Sequence, residues 1–232
     1  MLFNLMKLEL KKNKFGWYLR GVILANVIIV LTMCFLPYVE KLEGEGPAFV
    51  DLAEALSIIG TIVRVTFVIF AGVLYSKLII DEYKNNTISL LFTYPIQRKK
   101  VILSKILLIT GMTFIVIVVS NVFVAGSFVM VNHYFHFVQN DLASHWRSSE
   151  FLNIVVQAIA ATGMSLISLY FGMRKKSVPT TIVSSLLIIG LVNSNNMGHS
   201  LSNIIAIPLS LAAIGVIIAY VTFRNIDRVD IV

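Results

Sequence analysis

Three histidines fall close together: His133, His136 and His145, within NHYFHFVQNDLASHWRSSEF from Asn132 to Phe151. The first two form H-x-x-H, a spacing that can put two imidazoles on one face of a helix, as a metal site needs. No carboxylate-bearing helix signature such as H-E-x-x-H accompanies them. The alternative is an interfacial position, and no metal is assigned. A second candidate is GWYLRG, Gly16 to Gly21, which has the glycine spacing of a phosphate-binding loop. That loop needs a following Lys and Ser/Thr to hold the phosphates and their metal. Val22 and Ile23 stand there instead, so the chain carries no ATPase motif. A third is Arg64, a lone cation inside a long apolar run. A charge at membrane depth is a functional hypothesis by default. Its chemistry would be contact with a substrate carboxylate or a lipid phosphate. The alternative is that it reaches the outer surface from about two turns below it, or pairs with a buried acceptor. Asn121 and Gln157 also interrupt apolar runs; they either hydrogen-bond between helices or line a pathway.

The elements that must position these residues follow from composition. Of 232 residues, 57% are hydrophobic and 13% charged, and the mean hydropathy is +0.86. A soluble domain carries about 25% charged residues. So much apolar surface implies lipid as the solvent. The net charge of +7 does not indicate nucleic acid, because the charges lie in short runs between apolar blocks. The single cysteine, Cys34, lies inside an apolar run and excludes a disulfide within the chain. A membrane helix needs about 20 apolar residues. Six runs qualify: 18–38, 57–80, 101–132, 151–173, 178–194 and 203–223. The expected fold is an all-α integral membrane protein, one transmembrane domain over 1–232. The first run follows Lys7, Lys11, Lys12, Lys14 and Arg20 and lacks a cleavage site after CFLPYVEKLEG, so it reads as a retained anchor.

Placing the N-terminus inside puts 16 of the 19 basic residues in cytoplasmic segments, with only Lys41 and Arg147 outside and Arg64 within a span. This bias orients membrane proteins, so both termini are expected in the cytoplasm. Residues 1–16, containing LFNLMKLELKKNK, alternate apolar and basic positions and read as an interfacial helix on anionic lipid. Phe49, Leu52, Ala53 and Leu56 recur at helical spacing and predict a short interfacial helix in the first outer loop. Asn85-Asn86-Thr87 has the pattern of a glycosylation acceptor but would face the cytoplasm.

The stretch DEYKNNTISLLFTYPIQRKKVILSK, Asp81 to Lys105, interrupts two of these runs on the cytoplasmic side. Ile88, Leu91 and Phe92 fall on one helical face, Asn86 suits an N-cap, and Pro95 would end the helix. Such a helix either rests on lipid or presents an apolar knob to a soluble partner. The stretch resembles the coupling segment of type-2 export permeases of the ATP-binding-cassette (ABC) transporters. The family pattern is met by Glu82, Asn86–Thr87, Leu90–Leu91, Pro95, Arg98 and Lys105, with Asn86 standing where glycine is usual. The resemblance implies a permease in a bacterial plasma membrane, paired with a second permease chain, identical or different. Two copies of a separate ATPase, which holds ATP and magnesium, would dock on the segment. It implies no cofactor on this chain, and it implies export, with an amphipathic or antimicrobial-type peptide or another hydrophobic compound as cargo. It also implies that NSNNMGHSLSNIIAIP, Asn193 to Pro208, including Asn196, dips into the membrane as a gate of broken half-helices, with Pro208 breaking the second; a plain outer turn is the alternative. Two other classes remain open: an intramembrane metal-dependent enzyme using the outer histidines, and a nucleotide-independent channel or carrier.

Overall fold

The computed structural model describes residues 2–12, 16–43, 49, 51–84, 98–135, 148–193, 195–196, 199–200 and 206–229. These residues are almost entirely helical. The helices are α1 (Leu2–Lys12), α2 (Gly16–Glu43), α3 (Leu52–Tyr75), α4 (Asp81–Lys84), α5 (Arg98–Phe135), α6 (Ser148–Lys175), α7 (Val178–Asn193) and α8 (Ala206–Val229). A π-helical segment, Ser76–Ile80, joins α3 to α4 without a break. Four helical stretches are long and apolar enough to cross a membrane: Gly16–Val39, Leu52–Ile80, Lys99–Phe135 and Phe151–Lys175. Val178–Asn193 and Ala206–Thr222 are shorter apolar helices.

The packing inverts that of a soluble bundle. Large apolar side chains point outward, among them Leu24, Leu31 and Phe35 on α2, Ile115 and Val119 on α5, and Ile217 and Val221 on α8. Hydroxyl residues are buried instead: Ser104, Ser120, Thr162, Ser165, Ser168, Thr181 and Ser185. Lipid tails are as apolar as leucine, so helices gain little by hiding leucine and more by close approach of small residues. Several buried hydroxyls stay satisfied by bonding a carbonyl one turn back, as Ser165 Oγ does to Thr162 O at 2.7 Å. α6 and α8 approach closely through small residues. A Cβ on Gly163 would lie 2.4 Å from that of Ala212, and one on Gly215 would lie 2.1 Å from the Gly163 carbonyl oxygen.

α3 is the central helix. It packs on α2, α5, α6 and α7, and no residue from Ile58 to Ser76 is exposed. Its start corrects one expectation. Asp51 has extended backbone, and its carbonyl accepts from the Glu54 and Ala55 N–H groups at 3.1 and 3.2 Å, so the helix runs unbroken from Leu52. The apolar repeat at Phe49 to Leu56 therefore makes no separate interfacial helix. Two of its residues are packed into the bundle: Leu52 is buried, and the Phe49 ring packs edge-on against Phe128 with centroids 5.9 Å apart.

α6 and α7 are joined by a tight turn in which Lys176 adopts a left-handed conformation (φ 46°), a common way to end a helix. Beyond Asn193 the chain forms a two-stranded antiparallel hairpin, β1 (Asn195–Asn196) with β2 (His199–Ser200), pairing Asn196 with His199. Pro208 lies in α8, two residues after Ala206; residues 201–205, which hold most of the second proposed half-helix, lie outside the described residues.

Candidate functional site

Two polar clusters stand out, one at the Glu82 end of α3–α4 and one near the middle of α3. The first centres on Lys105, whose side chain is only 4% exposed although it bears a charge. The ammonium group donates to the Leu78 carbonyl at 3.0 Å and to Glu82 Oε2 at 2.5 Å, and it lies 3.4 Å from Glu9 Oε1. An ammonium has three N–H donors, and three acceptors surround this one. The two carboxylates are themselves 15% and 12% exposed.

Each partner comes from a different element. Glu82 is on α4, Leu78 lies in the π-helical segment, and Glu9 is on α1. In that segment the Asp81 N–H bonds the Ser76 carbonyl five residues back, the wider ring that defines a π-helix. α1 is set by its own pattern: Leu5, Met6 and Glu9 are half-buried, while Lys7, Leu8, Leu10 and Lys11 are exposed. Met6 packs on the apolar cluster that includes Tyr75, Leu78 and Leu108. Two further contacts brace this end. Tyr75 Oη and Thr110 Oγ1 are 3.0 Å apart, linking α3 to α5, and Lys77 Nζ sits 5.6 Å from the centre of the Trp17 ring on α2.

Glu82 and Lys105 both belong to the segment singled out in the sequence, and the structure turns them toward each other. Arg98 begins α5. Asn86, Thr87, Ile88, Leu90, Leu91, Phe92 and Pro95 lie outside the described residues. Glu9 was not recognised from the sequence. Its only signal is that it is the sole acidic residue in a basic helix.

The second cluster joins two residues flagged separately. Arg64 Nη1 donates to Gln157 Oε1 on α6, Nε donates to the Gly60 carbonyl at 3.0 Å, and Nη2 donates to Thr61 Oγ1 at 3.0 Å. Asn121 is buried on α5 and donates to the Ile117 carbonyl at 3.0 Å. Its Oδ1 lies 3.6 Å from where a Cβ on Gly60 would stand, so it borders the same turn of α3. The preceding residue, Ser120, accepts a 2.9 Å bond from Asn26 on α2. Because α3 starts at Leu52, Arg64 is about 18 Å along the axis from that end. Asp51, Ala53, Glu54 and Ser57 are exposed, so the first turn of α3 stands clear of the packed bundle, and Arg64 lies about two turns beyond Ser57.

The remaining flagged residues are not gathered here. Asn193 Nδ2 bonds the Ile189 carbonyl at 3.0 Å at the end of α7, Asn196 is in β1, and Pro208 is in α8. His133 is exposed, its ring 6.0 Å from that of Tyr134, and His136 and His145 lie outside the described residues. Among the described residues no group of three side chains is arranged to hold a metal.

An apolar exterior, a hydroxyl-rich interior and helices of spanning length define a multi-pass membrane protein. The chain belongs to the ABC-2 transporter family, because the model for "ABC-2 family transporter protein" matches residues 5–192. It is the membrane component of an ABC exporter, and ATP is hydrolysed in a partner subunit of such transporters. The chain is also 46% identical, over 98% of its length and 99% of the relative's, to the uncharacterized protein YcbO of Bacillus subtilis (strain 168). No solved structure matches it.

Proposed function

We propose that this chain is one of two permease chains enclosing an export pathway, with two ATPase subunits docked on its 82–105 segment. All six apolar helices would cross a bacterial plasma membrane, leaving both termini and that segment in the cytoplasm. The observation that carries this reading is the buried Lys105–Glu82 contact at 2.5 Å. It ties together the two ends of the coupling segment, so a push on the residues between them would move α3 and α5 together. A loop without such a tie would absorb the push. Glu9 adds α1 to the same rigid corner. Ile88, Leu91 and Phe92 would supply the apolar knob seated in each ATPase, with Arg98 fixing its register through charge-assisted hydrogen bonds. ATP and magnesium would be held by the ATPase. The cargo would be an amphipathic or antimicrobial-type peptide or another hydrophobic compound.

Co-purification with the partner ATPase tests this. Leu91→Asp places a carboxylate in an apolar contact and should weaken ATPase binding on the order of tenfold or more. It should also abolish permease-dependent ATP turnover, whereas Glu82→Ala should leave docking in place and reduce turnover. Unchanged turnover in both variants, with intact co-purification, would overturn the assignment of the segment.

A further inference from the structure

We infer that Arg64, held by Gln157 and Thr61, is a binding site inside the bundle for the carboxylate or phosphate head of an amphiphilic molecule. This deepens the permease reading by naming the head group the pathway would accept, and as a transport site it rests on that reading. The binding itself does not.

The first observation is position. α3 exposes no residue from Ile58 to Ser76, and the Arg64 guanidinium is turned toward α6, where it donates to Gln157. The residue is half-buried rather than sealed in the core. Arg64 is about 18 Å from Leu52 and about 27 Å from Glu82 along the axis. A cation at such depth costs about 2.5–3.5 kcal/mol by insertion scales, and something must offset that cost.

The second observation is what surrounds the charge. All three of its hydrogen-bond partners, the Gly60 carbonyl, Thr61 Oγ1 and Gln157 Oε1, are neutral. Among the described residues no carboxylate pairs with it; the ion pairs found are those of Lys105. Neutral dipoles orient a guanidinium without cancelling its charge. A guanidinium has five N–H donors; three are engaged here, which leaves one on each terminal nitrogen. Two such N–H groups suit the two-oxygen face of a carboxylate or phosphate, which arginine binds more specifically than lysine does.

The third observation is the identity of residue 157. Glutamate there would reach the same atom and neutralise the arginine from within the fold. Glutamine holds the guanidinium in place and leaves its charge available. The neighbours of the pair along both helices, Val63 and Phe67 on α3 and Ala158 and Ala161 on α6, are apolar and buried. The ligand should therefore join an oxyanion head to an apolar body.

The test uses the purified full chain in phosphatidylcholine nanodiscs and equilibrium binding of labelled dodecyl phosphate and dodecanoate, with empty discs subtracted. The wild type should bind both with one saturable site and show no site for dodecyltrimethylammonium. Gln157→Glu should weaken binding on the order of a hundredfold, because the site then carries its own counter-ion. Its thermal midpoint should be kept or raised, which separates site loss from misfolding. Arg64→Lys, which keeps the charge and loses the fork, should weaken binding about tenfold. Repeating the titration in phosphatidylglycerol discs identifies the source of the head group. Competition by the lipid assigns the site to membrane lipid, and an unchanged affinity assigns it to a non-lipid amphiphile. Equal binding of the cationic and anionic probes, or wild-type binding by Gln157→Glu, would overturn the inference. Neither result bears on ATPase docking, which the co-purification above tests separately.

Discussion

Lys105→Met should be among the most damaging single substitutions at the Glu82 end of the bundle. Methionine fills nearly the same volume and lacks all three donors. Two carboxylates, 15% and 12% exposed, and the Leu78 carbonyl would then lose their shared cation in a site where the lysine itself is 4% exposed. Removing one partner of a buried ion pair costs about 3–5 kcal/mol. The carboxylates keep some contact with water, so the lower figure applies, about 3 kcal/mol. Glu82→Gln is milder. An amide oxygen still accepts from the ammonium and Glu9 remains as counter-charge, so the cost should be about 1–2 kcal/mol. In the double variant the glutamine no longer strands a charge, and its cost should fall short of the sum by about 1–2 kcal/mol. Reversible unfolding in mixed micelles, followed by circular dichroism over a urea series, measures all three. If the two single costs simply add, the pair does not form in the native protein. The coupling segment would then lack the tie on which the proposed force path depends.

Three other outcomes follow. Gly163→Ala should lower the thermal midpoint, because overpacking costs about 1–3 kcal/mol, and Ala212→Gly should restore part of the loss by removing the Cβ that lies 2.4 Å away; Gly111→Ala, with nothing within 4 Å, should be neutral or stabilising. In a Cys34→Ser background, Glu45→Cys should react with an impermeant maleimide in intact cells, and Leu90→Cys only after permeabilisation; the reverse pattern would overturn the orientation drawn from the Lys/Arg bias. Extensive dialysis against a chelator should leave the midpoint unchanged, and stoichiometric metal released with a fall in midpoint would restore the histidine reading.

Four of the expected spans were legible because each is a long apolar run, and hydropathy reports length directly; the last two runs are shorter apolar helices. The start of α3 was not legible. Asp51 and Glu54 interrupt the hydropathy, so the apolar repeat before Ser57 read as a separate element, although the helical period carries straight through. Arg64 and Gln157 could each be flagged as polar residues in apolar surroundings, but they are 93 positions apart, and only the packing of α3 on α6 joins them. Glu82 and Lys105 were legible through a motif, which suggests that both face a partner. Their mutual contact depends on the ends of α3–α4 and α5 meeting, and no local spacing encodes that. The π-helical segment SKLII carries no residue that marks it. Its wider hydrogen-bond ring is a product of packing, and nothing in propensity announces it.

The two clusters are not independent, because one continuous helical stretch carries both. Arg64 and Glu82 lie on the run Leu52–Lys84, about 27 Å apart along its axis. Nearly every side chain between them is packed against a neighbouring helix, so the upper part can move only by sliding past those neighbours. Between them lies the π-helical turn Ser76–Ile80, an irregularity frequent at functional sites. On the proposed force path, closure of the ATPase pair would displace Glu82 and Lys105 together. The shift would run up α3 and move the guanidinium relative to Gln157, which stands on a different helix. Binding at Arg64 and docking at the coupling segment should therefore influence each other, by the reciprocity that governs any two linked sites. Dodecyl phosphate should change the affinity of the ATPase for the wild-type permease, and it should have no such effect on Gln157→Glu.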